Sequence, residues 1–413
     1  MTRFLLFFCL LLPAAAFGQQ QLPKVLFDAT RAEMANNADW VLDADARNLG
    51  IGSGGAMVTG AGSDSNPQRF PTPAQSGITA NTPETYWSGA LSSWGVALVK
   101  RGYQVETLPN GSRLTYGDAS NVQDLSNYQV FVVCEPNIRF SAAEKTALLN
   151  FVKNGGGLFM ISDHAVSDRN NDGWDSPQIW NDLMSTNSVQ ANPFGISFDL
   201  NNFVVNTTNV PALPADSLLH GPAGNVAAME YHNGATLTLT PSANASVRGI
   251  IYKLGVSATG TTGAFMAYAR YGRGKVVALG DSSPPDDGSG DPGDSLYDGW
   301  AGEANGDHAR VLVNATIWLA TPKSRPLASR NATTTATCTL YPNPTSQQIH
   351  ISLSAPAQQL AWYNVVGQRV SVPTIAIAPN SYVADLRAQP VGLYFLHVTL
   401  NNGQVLMRRV ERR

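Results

Sequence analysis

The chain has 413 residues, 43% of them hydrophobic and 14% charged, with a formal net charge of −3. So small a charged fraction excludes a coiled coil or a charge-rich disordered chain, and the near balance excludes a nucleic-acid binder held by phosphate contacts. The length allows two or three domains, and three cysteines are too few for a disulfide scaffold.

Residues 1–18 have the pattern of a secretory signal. Arg3 supplies the positive start, Phe4 to Leu12 is an apolar run too short for a bilayer, and Ala16-Phe17-Gly18 is a small-x-small cleavage site. No later run approaches about 18 apolar residues, so no transmembrane segment is expected. Cys134 and Cys338 remain after cleavage. They fall in different predicted domains and are expected to stay unpaired.

Residues 19–320 alternate strand and helix signals. Lys24 to Phe27 is a short apolar strand ending at Asp28. Trp87 to Arg101 is a helix candidate closed by Gly102, and Tyr103 to Leu108 is the next strand. Tyr128 to Cys134 is apolar enough to be buried on both faces. Ser141 and Glu144 have capping-box spacing ahead of an apolar helical stripe that ends at Gly155. Leu158 to Ile161 is a fourth strand. About 185–265 is irregular and β-rich, Lys275 to Gly280 is a further buried strand, and His308 to Ala320 is a closing helix with Asp307 at its N-cap. Strand, helix, strand at this spacing predicts an α/β domain, a doubly wound parallel sheet with β-rich insertions.

Residues 321–338 are polar, contain proline and lack periodicity, as a linker does. Residues 339–413 differ from what precedes them. Ile349, Ile351 and Leu353 alternate with polar neighbours, and two later apolar runs flank Asn401-Asn402-Gly403, a hairpin signal. A small all-β sandwich is predicted. Six arginines against two acids give this segment a net charge of +4, so the rest of the chain is acidic.

Two resemblances follow from these motifs. The runs SAAEKTALLNFVKNGGGLFMISDHA and RYGRGKVVALGDSS…DHARVLVNATIWLA resemble glutamine-amidotransferase-like, flavodoxin-like domains, including ThuA-like proteins and an intraflagellar-transport domain. The turn that holds the nucleophilic Cys of true amidotransferases reads Ile161-Ser162-Asp163-His164-Ala165 here, so glutaminase activity is not expected. The YPNP opening, the NVVGQRV segment, the PVGLYFLHV strand and the basic end resemble the type IX secretion C-terminal sorting domain of Bacteroidota. That resemblance implies the type IX machinery as a partner and a secreted or cell-surface location.

In a doubly wound sheet, ligands lie beyond the carboxyl ends of the strands. That edge collects Asp28, Arg31 and Glu33, then Cys134 and Glu135, then Ser162, Asp163 and His164, then Asp281, with Asp307 and His308 at the start of the last helix. Asp163, His164, Asp281 and His308 are the expected catalytic residues, as metal ligands or an acid–base set. A Ser-His-Asp arrangement using Ser162 or Ser282 is the other catalytic option, though no G-x-S-x-G elbow is present. Asp168-Arg169-Asn170-Asn171-Asp172-Gly173 fits D-x-N-x-D-G, the opening of a calcium loop. Its expected ligands are Asp168, Asn170, Asp172 and Asp175, for calcium or another divalent cation. A hydrated Asx-turn loop is the alternative, because Ile179 stands where the bidentate Glu belongs. Eight acids between Asp281 and Asp307 must be solvated, bridged by cations or built into a lid. His232 has no evident partner. The expectation is a secreted, metal-assisted hydrolase of unknown extracellular substrate. The alternative is a non-catalytic surface domain that binds glycan or protein, with calcium-braced loops.

Overall fold

Successive side chains of a strand point to opposite faces, so a strand buried throughout must feed two cores at once. In the computed structural model, four strands early in the chain do this: β1 (Lys24–Asp28), β2 (Gln104–Leu108), β3 (Val130–Cys134) and β4 (Gly157–Ile161). Val25, Phe27, Val132, Phe159 and Ile161 enter one core, and Leu26, Phe131, Val133, Leu158 and Met160 enter the other. The structure describes residues 22–35, 38–43, 49–51, 57–59, 74–290, 297–321, 337–365, 368–401 and 405–413. The expected signal segment and most of the expected linker lie outside these residues.

The helices are α1 (Ser92–Val99), α2 (Ala142–Lys153), α3 (Ser176–Ser185) and α4 (His308–Ala320). α1 and α4 cover the first core, α2 and α3 the second, so the sheet is covered on both faces. α2 starts at the predicted box: Ser141 accepts from the Glu144 N–H, and the Glu144 carboxylate accepts from the Ser141 N–H. α1 starts five residues later than Trp87. Its acceptor is Asp287, which takes bonds from the Ser92 hydroxyl (2.5 Å) and the Ser93 N–H (2.6 Å), from far along the chain. Asp307 precedes α4 without a side-chain cap; its carboxylate binds the Ala227 N–H (2.7 Å) instead.

The longer strands that follow are β5 (Ile196–Phe198), β6 (Phe203–Thr207), β7 (Met229–Gly234), β8 (Leu237–Leu239), β9 (Arg248–Tyr252), β10 (Ala264–Tyr271) and β11 (Gly274–Leu279). The main sheet has the order β2-β1-β3-β4-β11-β10-β8-β5, with β9 also on β10. β2 through β11 in this order are parallel, and β10, β8, β5 and β9 are antiparallel. The expected parallel sheet is therefore a mixed one. The reason is local: Tyr271 to Gly274 joins β10 to β11 directly, and a connection that short permits only antiparallel pairing. β6 and β7 pair as a separate ribbon. Strand order reverses between β1 and β3, and the crevice at such a switch point is where ligands sit.

Gly280 closes β11 against residue 235, its carbonyl accepting from the Ala235 N–H at 2.7 Å. A Cβ there would lie 1.9 Å from the Ala235 carbonyl oxygen. Gly280→Ala is expected to cost about 2 kcal/mol or more, since backbone must move to admit it. Chemical denaturation of wild type and variant would show it as a lowered midpoint.

The second compact unit begins at Arg325. Its strands are β12 (Cys338–Tyr341), β13 (Gln348–Leu353), β14 (Ala357–Asn364), β15 (Arg369–Val370), β16 (Thr374–Ala378), β17 (Ser381–Asp385), β18 (Gly392–Leu400) and β19 (Val405–Arg412). They form two antiparallel sheets, β12-β13-β17-β16 and β15-β14-β18-β19. Ile349, Ile351, Trp362, Leu396, Val398 and Val410 share one core between them. The predicted hairpin is the β18–β19 pair; residues 402–404 of its turn lie outside the described residues. Cys134 and Cys338 are both buried and unpaired. No described helix is long and apolar enough to cross a membrane.

Candidate functional site

The first strand's contribution folds onto itself. Asp28 accepts from the Thr30 N–H (3.1 Å) and hydroxyl (2.8 Å), and Glu33 accepts from the Arg31 N–H (2.7 Å). Arg31 pairs with Glu144 of α2. Burial raises the Asp28 carboxyl, and burial with the neighbouring Asp28 charge raises Glu33 well above its usual range.

The centre of the rim is a knot of four ionisable side chains from three segments. Glu135, just past β3, is fully buried and adopts φ +48°. Its Oε1 accepts from Arg169 Nε at 3.0 Å, and its Oε2 accepts from Trp40 Nε1 at 2.9 Å and the Ser282 hydroxyl at 2.8 Å. Asp163 Oδ2, just past β4, meets Arg169 Nη2 at 2.8 Å and His164 Nδ1 at 3.0 Å. Burial pushes Glu135 up to about 8, with the Asp163 charge adding and Arg169 opposing. Burial raises Asp163 as well, against the pull of His164 and Arg169. Burial alone would lower His164; the Asp163 carboxylate outweighs it and lifts the imidazole above its ordinary value. Burying charge without a partner is costly, so carboxyls raised this far, gathered at a ligand-binding edge, mark a functional candidate.

Of the four expected catalytic residues, Asp163 and His164 are in contact. Asp281 and His308 are placed differently, and each binds main chain of β7. Asp281 Oδ2 accepts from the His232 N–H (2.6 Å) and Oδ1 from the Ser283 N–H (2.8 Å), while burial pushes its carboxyl up to about 7. His308 Nε2 lies 3.0 Å from the Glu230 N–H donor nitrogen, and its Nδ1 lies 2.6 Å from the Gly299 carbonyl. That pairing requires the neutral ring with its proton on Nδ1, and burial lowers its value accordingly. No Ser-His-Asp triad assembles among the described residues: Ser162 donates to the Asp163 carbonyl and Ser282 to Glu135, neither to a histidine. Cys134 is held as a protonated thiol, since burial and the Glu135 charge push it well up.

The four expected calcium ligands are engaged in hydrogen bonds of their own loop and its surroundings. Asp168 accepts from the Asp172 N–H (3.1 Å) and Gly173 N–H (2.8 Å), and Asp172 from the Trp174 N–H (2.9 Å). Asn170 donates to the Asn137 carbonyl (2.7 Å). Asp175 caps α3 in a reciprocal box with Gln178, and its other oxygen takes the Val166 N–H (2.8 Å). These are the bonds of an Asx-turn loop running into a helix. The Asp175-x-x-Gln178 spacing carried that cap signal. The second acidic loop is similarly occupied: Asp286 accepts from the Gly288 (2.9 Å) and Tyr297 (2.7 Å) N–H groups, and Asp287 serves α1. Asp291 and Asp294 lie outside the described residues.

Three side chains of the candidate sites carried no usable sequence signal. Arg169 sits at a filler position of the calcium pattern, yet it is the cation of the knot. Trp40 reaches Glu135 from 95 residues away. His232 finds its partners in Glu230 and in Glu303, on the distant loop. Among the described residues, Glu230, His232 and Glu303 are the acid and imidazole side chains that offer ligand atoms within 4.8 Å of one another.

Comparison with known proteins bears on the second unit. Residues 339–410 match the family described as the secretion system C-terminal sorting domain. A sorting tail of the type IX system implies contact with that machinery and a secreted or cell-surface protein. No curated protein matches the chain. Among solved structures, the domain titled mmIFT52 N-terminal domain overlaps 55% of this chain and 89% of its own, at 14% identity and a TM-score of 0.36. A cytoplasmic protein from Salmonella typhimurium overlaps 53% and 82%, at 14% identity and 0.33. CopC from Methylosinus trichosporium OB3b overlaps 18% and 91%, at 13% identity and 0.15.

Proposed function

We propose that this chain, exported by its type IX sorting domain, is a hydrolase whose acid–base centre is the Asp163–His164 pair. The observation that carries this reading is the knot itself. Glu135, Asp163, His164 and Arg169 meet by hydrogen bonds at the carboxyl ends of parallel strands, and the histidine ring is partly exposed. Asp163 holds His164 Nδ1, which leaves Nε2 to take a proton from an attacking water and return it to the leaving group. Arg169 lies beside the same carboxylate and faces charge that develops there. Glu135 is too deeply buried to touch substrate; it positions Arg169. The resemblance to glutamine-amidotransferase-like domains supports the placement of the site and not the glutaminase chemistry, because Cys134 is a buried thiol and no other stands at the rim among the described residues.

The test is a panel of acyl esters, phosphoesters, glycosides and peptides with secreted wild-type protein. Against any substrate turned over, His164→Ala is expected to lower kcat/KM by at least about 100-fold with the fold intact by circular dichroism. Because His164 must be neutral to act as base and its value is raised, activity should fall as pH drops through a point above the ordinary histidine value. No turnover by wild type on the whole panel would overturn the reading and leave a glycan- or protein-binding domain.

A further inference from the structure

We propose that Glu230, His232 and Glu303 form a binding site for one divalent transition-metal ion of zinc-like preference. His232 Nε2 lies 3.3 Å from Glu230 Oε1 and 3.4 Å from Glu303 Oε2. These separations are long for hydrogen bonds. They match the spacing of about 3.4 Å that two ligands have around a tetrahedral ion with bonds of about 2.0–2.1 Å. The Tyr297 hydroxyl hydrogen-bonds both His232 Nε2 and Glu303 Oε2, so it stands between these ligand atoms and turns aside when an ion enters.

Two further observations point the same way. Glu230 Oε2 is buried without a hydrogen-bond partner, an acceptor that lacks its cation or proton. The ligand-bearing backbone is also fixed in advance: Asp281 binds the His232 N–H, His308 binds the Glu230 N–H, and the Ser283 hydroxyl binds the His232 carbonyl at 2.9 Å. Such outer bonds hold metal ligands in place. An imidazole with two carboxylates suits a borderline metal, whereas calcium takes six to eight oxygens. The site is separate from the D-x-N-x-D-G loop and does not depend on hydrolysis.

The experiment uses the full secreted protein, stripped with chelator, loaded with zinc chloride and dialysed. One equivalent of zinc by elemental analysis is expected, with a melting temperature raised by about 5 °C. Calcium chloride at the same concentration should not displace it. His232→Ala and Glu303→Gln should each lose the bound zinc and the thermal shift, and Asp172→Asn should keep both. Glu303→Gln is the isosteric change, so a well-folded variant still reads the site. Wild type that retains no zinc, or a folded Glu303→Gln that retains a full equivalent, overturns the site. Wild type that retains no zinc after loading yet hydrolyses a substrate overturns this site and leaves the proposed acid–base pair standing.

Discussion

Arg169→Met is expected to remove about 3–5 kcal/mol of stability at pH 8 and much less at pH 5. The guanidinium bridges Glu135 Oε1 and Asp163 Oδ2, two carboxylates with side chains 0% and 4% exposed. Methionine keeps the apolar stem and deletes the charge, leaving two buried acids with no cation between them. The pH sign follows from linkage. In the wild type the folded Glu135 value is already raised to about 8, above an unfolded value near 4. A group raised on folding contributes stability that is complete below its unfolded value and lost as pH rises through its folded value. Without Arg169 both folded values rise further, so the two acids stay protonated and tolerated at low pH and become costly above neutrality. Urea denaturation at pH 5 and pH 8 checks this, and equal losses at both would refute the bridging role. Arg169→Lys should recover part of the loss, because one ammonium cannot reach both carboxylates as a planar fork does.

Trp94→Ala is expected to cost a similar 3–5 kcal/mol, but without pH dependence between 5 and 8. Trp94 is fully buried on α1. Its ring meets the edges or faces of Phe27 and Phe159 at 5.3 Å each, and so ties the helix to β1 and β4 at once. Its indole N–H donates to the Thr316 hydroxyl of α4 (3.2 Å), which also bonds the Leu312 carbonyl and is not stranded by the change. The loss is therefore cavity and contact, with no ionisable group involved. Thermal melts at the two pH values separate it from the Arg169 variant, and Trp94→Phe should cost well under half as much.

The strands of the parallel half were legible because burial on both faces leaves a run of apolar residues in the chain. Val130 to Cys134 and Gly157 to Ile161 are such runs. α2 was legible because its cap lies within four residues of its start. α1 was misplaced at its beginning because its acceptor, Asp287, comes from nearly 200 residues downstream. The antiparallel half was read only as β-rich, since short runs such as Leu237–Leu239 carry no direction of pairing.

The candidate site divides along the same line. Asp163 and His164 were visible because they immediately follow a strand, and strand order alone delivers them to the carboxyl-end edge of the sheet. The D-x-N-x-D-G pattern was also visible, but its carboxylates bind nearby N–H groups, a use that shares its residue types with calcium binding. Arg169, Trp40 and the Glu230–His232–Glu303 group could not be read, because the Arg169–Glu135, Trp40–Glu135 and His232–Glu303 contacts join segments far apart in the chain.

The sequence by itself determined the two-part organisation, the sorting tail and the buried strands. These rest on local pattern: apolar periodicity, turn residues and caps within a few positions of one another. Only the tertiary structure decided which acids meet a cation, which cap helices, and which histidine gathers carboxylates. Hydrogen bonds and ion pairs act over about 3 Å, and only folding brings residues 135, 163 and 169, or 230 and 303, within that range.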